Sequence, residues 1–105
     1  MIQLSQENRA GWLVVSVRGR ADAEAADELE SGLTNALELS GRVAVDLSAL
    51  DYISSAGLRA VLQAARAART REVEFAVCGL SAPVRKVFDM SVMRHVLDIH
   101  GELPC

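Results

Sequence analysis

The chain has 105 residues, about half apolar and a quarter charged, with two prolines and a formal net charge of −3. That length and composition predict one globular domain over residues 1–105 and argue against a disordered or fibrous chain. A net negative chain offers no concentrated basic face, so direct nucleic-acid binding is not expected, and no run of about 18 apolar residues is available to span a bilayer.

The first residues, MIQLSQENRAG, lack the basic and apolar regions of a secretory signal, which predicts a cytoplasmic protein without membrane insertion. Cys78 and Cys105 form no CxxC motif and are both read as reduced, Cys78 as a small buried hydrophobe at the end of an apolar alternation. MIQLSQE alternates Ile2 and Leu4 with polar neighbours and suits a hairpin partner for GWLVVSVRG, a β-rich run bounded by Gly11 and Gly19. From Asp22, a good N-cap, the residues Ala26, Leu29, Leu33, Ala36 and Leu37 recur at helical spacing to about Leu39, with Gly32 as the weak point.

RVAVDL reads as a strand buried on both faces, and so as a central one. SALDYISSAG follows as a loop. The next helix begins near Ser55, with Leu58, Val61, Leu62, Ala65 and Ala68 on one stripe and Arg59, Gln63, Arg66 and Arg69 opposite. VEFAVCG is a further strand, SAPVRKVFDMSV a short helix with a Ser cap and an early Pro, and HVLDIHGE a last short strand or tail. The predicted order is β-β-α-β-α-β-α-β, an α/β fold with a mixed, largely parallel sheet.

Loops at the carboxyl ends of strands are where α/β sheets meet ligands and partners, which directs attention to SALDYISSAG. Three readings of its paired serines are open. One serine caps the helix; one is a catalytic nucleophile; or one accepts a charged modification, which a helix N-terminus receives well. A GxSxG nucleophile elbow is not met, because Tyr52 or Ile53 stands where glycine is required. His95 and His100 lack further ligands at zinc-site spacing, and no Gly-rich phosphate loop is present, so neither a metal nor a nucleotide cofactor is expected. The arginines Arg59, Arg66, Arg69 and Arg71 read as a solvated helix face, with Arg59, one turn from Ser55, the one suited to steering an acidic partner.

Four stretches, GRADAEAADEL, VAVDLSALDYISSAGLRAVL, VCGLSAPVRKVF and HVLDIHGE, together resemble the STAS domains, specifically the bacterial anti-sigma factor antagonists, over nearly the whole chain. The resemblance implies a sheet of four or five strands with helices on one face. It also implies phosphorylation of the serine two residues before the motif glycine, Ser55 here, by a partner kinase, with Asp22 beside the site. Ser54 stands where many antagonists have aspartate and Ala56 where they have Ser or Thr, so Ser54 is kept as the second candidate acceptor. The implied partners are an anti-sigma factor that is also a serine/threonine kinase of the histidine-kinase-like ATPase type, and a PP2C-type phosphatase. The implied protein is not an enzyme, and its partner surface comprises Asp22, Tyr52, Ile53, Ser54, Ala56, Gly57 and Arg59. The second functional reading is a STAS subunit of a membrane transport or lipid-trafficking ATPase assembly that is not phosphorylated.

Overall fold

The computed structural model describes residues 2–89 and 99–100. Strands β1 (Ile2–Arg9) and β2 (Trp12–Ala21) pair antiparallel, with Arg9 opposite Trp12, so the connection is only Ala10 and Gly11. Both have positive φ, 54° and 84°, the combination of a two-residue turn whose twist matches that of the flanking strands. Gly11 adopts it freely; Ala10 carries a Cβ that disfavours it.

β2 does not stop at Gly19 as its sequence suggests. Gly19, at φ 105°, marks the point where β2 changes neighbour. Leu13 to Ser16 pair in parallel with β3 (Arg42–Asp46), whereas Arg20 and Ala21 pair with β4 (Leu50–Ile53) after a register shift. β4 lies within the segment read as loop. Its four residues bury Leu50 and Ile53 and expose Asp51 and Tyr52, a pattern too short and too little alternating to stand out as a strand. The observed order is therefore β-β-α-β-β-α-β-α-β.

The main run of the sheet is β1-β2-β3-β5-β6, where β5 is Glu74–Cys78 and β6 is Ile99–His100; β4 joins it on β2. Only the first pair is antiparallel, which gives the mixed, largely parallel sheet that the sequence predicts. β3 lies between β2 and β5 with Val43, Ala44 and Val45 all buried, so the continuous apolar run is central as expected.

Three helices, α1 (Ala26–Ala36), α2 (Ser55–Thr70) and α3 (Ala82–Asp89), pack their apolar stripes against the sheet. Leu29 and Leu33 of α1, Val61 and Ala64 of α2 and Val84 and Phe88 of α3 share one core with Leu13, Val15, Val17, Val43, Val45 and Val77. Alternation along each strand sends Trp12, Val14, Ala44 and Cys78 to the other face. There Arg42 lies 4.7 Å over the Trp12 ring and pairs with Glu74 at 3.2 Å. Cys78 is buried as read, but it is disulfide-bonded, so the expectation of a reduced thiol fails for it.

α1 starts three residues later than its sequence suggests, with Ala25 rather than Asp22 at the N-cap, and ends at Ala36. Asp22 closes a turn ahead of it, its carboxylate Oδ1 and its carbonyl oxygen both accepting from Ala25 N–H at 3.0 and 3.1 Å. Gly32 is more than a weak point, since a Cβ there would collide with Leu4 Cδ1; the missing side chain lets α1 lie close on β1. Ser81 precedes α3, yet its hydroxyl donates to Leu50 O at 2.6 Å and so ties the helix to β4. Residues 90–92 of the third predicted helix, His95, and most of the HVLDIHGE segment lie outside the described residues.

The hairpin yields a stability test. Ala10→Gly removes a Cβ disfavoured at positive φ, and Ala10→Asn replaces it with a side chain that tolerates that region; either should raise the unfolding free energy by about 0.5–1 kcal/mol, read by urea denaturation at constant m-value.

Candidate functional site

The end of β2 and the start of α2 are joined through one side chain. Ser54 has extended backbone (φ −89°, ψ 174°) and stands immediately before α2, so it is the N-cap residue. Its Oγ accepts from Gly57 N–H at 3.1 Å and donates to Ala21 O, also at 3.1 Å. Its backbone N–H donates to the same carbonyl at 2.9 Å, and its carbonyl accepts the first helical bond, from Leu58 N–H, at 2.9 Å. Ser54 is half-buried, and its hydroxyl is occupied in both directions.

Ser55 differs in every respect. It opens the first turn of α2, is exposed, and its hydroxyl makes no hydrogen bond to any described residue. The N–H groups of Ser55 and Ala56 belong to the unpaired donors of a helix start, and α2 has no acidic residue in that turn. Gly57 is buried because α2 is pressed onto the end of β2: a Cβ there would lie 2.7 Å from Ala21 O and 2.9 Å from Ile53 Cγ1. Ala56 is half-buried, and Arg59, one turn along, is exposed. Arg59 forms no ion pair among the described residues, whereas Arg71 pairs with Glu38 at 3.6 Å.

The remaining sequence candidates gather round this junction with unequal exposure. Asp22 is half-buried and directly follows Ala21, whose carbonyl anchors Ser54. Tyr52 is 39% exposed, but Ile53 is only 3% exposed and its side chain belongs to the core. Sequence reasoning missed Ala21 and Arg20. Ala21 acts through its backbone oxygen, which no side-chain pattern announces. Arg20 stacks its guanidinium 4.4 Å from the Tyr52 ring centroid, a pairing made by the unforeseen β2–β4 register. Neither serine hydroxyl is bonded to a histidine side chain among the described residues. Among those residues no three His, Cys, Asp or Glu side chains cluster at metal-binding spacing, and no helix is long and apolar enough to cross a membrane.

The junction makes two substitutions costly for different reasons. Ser54→Ala removes the cap and should lower stability by about 0.5–2 kcal/mol. Gly57→Ala forces a methyl against backbone and should cost about 1–3 kcal/mol despite alanine's better helix propensity. Guanidinium denaturation of both variants checks the pair, and a stabilising Gly57→Ala would contradict the close approach.

Comparison with known proteins accords with this architecture. The STAS domain family model matches residues 2–103. The chain is 37% identical over 91 residues, 86% of its length and 78% of the relative's, to BtrV of Bordetella bronchiseptica, whose name assigns it provisionally to the anti-sigma factor antagonists. The fold is similar to that of an anti-sigma factor antagonist from Mycobacterium paratuberculosis, with a TM-score of 0.80 at 23% identity, covering 98% of this chain and 88% of the other. It is similar too to Bacillus SpoIIAA, solved in unphosphorylated form (TM-score 0.74, 21% identity, 97% and 90% covered) and in phosphorylated form (TM-score 0.68, 20% identity, 97% and 93% covered). At those identities the structures speak for the fold, while the family match and the 37% relative carry the assignment. The chain belongs to the STAS domain family.

Proposed function

We propose that this chain is an anti-sigma factor antagonist that works by partner switching in the cytoplasm, with Ser55 as the switch. The observation that carries the reading is the division of labour between adjacent serines. Ser54 Oγ is held between Ala21 O and Gly57 N–H, while Ser55 Oγ is exposed and unbonded among the described residues. The names of BtrV and SpoIIAA, and the existence of SpoIIAA in a phosphorylated form, support the same reading.

In this mechanism the unmodified chain binds an anti-sigma factor that is also a serine/threonine kinase of the histidine-kinase-like ATPase type, and the sigma factor is released. The kinase transfers the γ-phosphoryl group of its ATP to Ser55 Oγ; the hydroxyl proton is lost and ADP leaves. Phosphoserine brings about −1.5 to −2 charges, which the start of α2 accommodates and a packed partner surface does not. An uncompensated charge in a contact costs on the order of 3–5 kcal/mol, and each 1.4 kcal/mol is about tenfold in affinity, so one phosphate is enough to eject the antagonist. A PP2C-type phosphatase restores it. The chain catalyses none of these steps. Its contact surface is Asp22, Tyr52, Ser54, Ser55, Ala56 and Arg59, with the buried Gly57 and Ile53 supporting them from beneath.

The test uses the kinase recovered from native lysate by pull-down and then purified. With ATP, the chain should gain one phosphate, on Ser55; peptide mapping that puts it on Ser54, or finds none with active kinase, removes the assignment. Ser55→Ala should abolish phosphorylation, keep kinase binding, and change stability by no more than about 0.5 kcal/mol, because the capping hydroxyl is Ser54's. Ser55→Asp should weaken kinase binding in titration calorimetry, less than phosphate does, with an unchanged circular dichroism spectrum. An acidic variant with unaltered affinity would favour a STAS subunit of a membrane transport assembly, where this serine carries no switch.

A further inference from the structure

Two arginines of the described structure lie over aromatic rings, and they differ in what else they touch. Arg42, over Trp12, also donates to Glu74 at 3.2 Å, so part of its donor set is used within the fold. Arg20, 4.4 Å from the Tyr52 ring centroid, has no hydrogen bond or ion pair to any described residue and is exposed. Stacking restrains the guanidinium plane and leaves the N–H donors at its edge pointing away from the ring. A restrained arginine with unspent donors loses less conformational freedom on meeting a carboxylate than a free one does. Tyr52 is itself one of two exposed large hydrophobic residues among those described, the other being Leu39, and Tyr with Arg is the composition of an interface hot spot.

The position is as informative as the chemistry. Tyr52 stands three residues before Ser55, and Arg20 is its register partner, one residue before the carbonyl that anchors Ser54. Arg59 lies one turn along α2 on the helix side of Ser55, in a helix without acidic residues. Ser55 is thus flanked by a cation on the strand side and another on the helix side. We propose that Arg20, held on Tyr52, is a specificity-determining contact that receives an acidic side chain of the partner kinase, with Arg59 as the second cation of the same surface. This rests on the partner-switching reading and adds to it a residue and a charge complement.

The test measures binding of the unphosphorylated chain to the same purified kinase, loaded with ADP so that no transfer intervenes, at low and moderate salt. Arg20→Ala should weaken binding by about tenfold or more, slow association and flatten its salt dependence. Arg20→Lys should restore the salt dependence but not the full affinity, since an ammonium lacks the planar fork. Melting temperatures should stay within about 2 °C of the parent chain, because Arg20 is exposed. Affinity of Arg20→Ala within about twofold of a parent chain that binds normally overturns the Arg20 contact alone. A parent chain that neither binds the kinase nor accepts phosphate overturns the partner-switching reading and this contact with it.

Discussion

One carbonyl oxygen organises the functional end of this molecule. Ala21 O, the last acceptor of β2, takes two hydrogen bonds from Ser54, one from the backbone and one from the hydroxyl, at 2.9 and 3.1 Å. Because the same hydroxyl caps α2, the strand end and the helix start are tied together, and Gly57 lets them approach to a distance no side chain would allow. Each hydrogen bond contributes only about 0.5–1.5 kcal/mol net, but together they fix where the first turn of α2 points. The exposure of Ser55, the burial of Ile53 and the placing of Asp22 follow from that geometry.

A residue on such a junction responds to charge locally. The core beneath it, built from Leu29, Leu33, Val61, Val84 and Phe88 against β2, β3 and β5, does not include Ser55. Burial of each such side chain is worth about 1.5–3 kcal/mol, so the fold is carried by groups that a surface anion does not touch. An anion placed at Ser55 would therefore be felt by what docks there rather than by the core, as the proposed switch requires.

Much of this was legible in the sequence because it rests on periodicity. The β2 and β3 apolar runs, the α2 stripe, the central position of RVAVDL and the opening of α2 at Ser55 all come from patterns of burial that repeat over five or more residues. What escaped was set by tertiary contact. β4 has four residues and borrows its pairing from the end of β2 beyond Gly19. Asp22 looks like the α1 cap, but its carboxylate closes the turn before α1, because Ala25 takes the N-cap position. The sequence put the two serines side by side without saying which one caps the helix, and the resemblance named Ser55 as acceptor with Ser54 as second candidate. Only the hydrogen bonds to Ala21 and Gly57 separate a capping residue from its exposed neighbour.

Serine rather than aspartate at position 54 alters the electrostatics of that neighbour. An ionised aspartate is a good N-cap but only an acceptor, so it could take the Gly57 bond and not supply the one to Ala21 O. Ser54 supplies both. It also leaves the first turn of α2 without any acidic residue. Where many antagonists of the resemblance carry a carboxylate beside the acceptor, this chain presents an uncompensated helix N-terminus to Ser55. An anion placed on Ser55 is then the first negative charge that the turn receives, met by the dipole at about 0.3–1 kcal/mol of stabilisation and by no like-charge repulsion from position 54. The serine that departs from the family pattern thus adds a bond to β2, and under the proposed switch it would make the charge change at Ser55 a step from none to one anionic group.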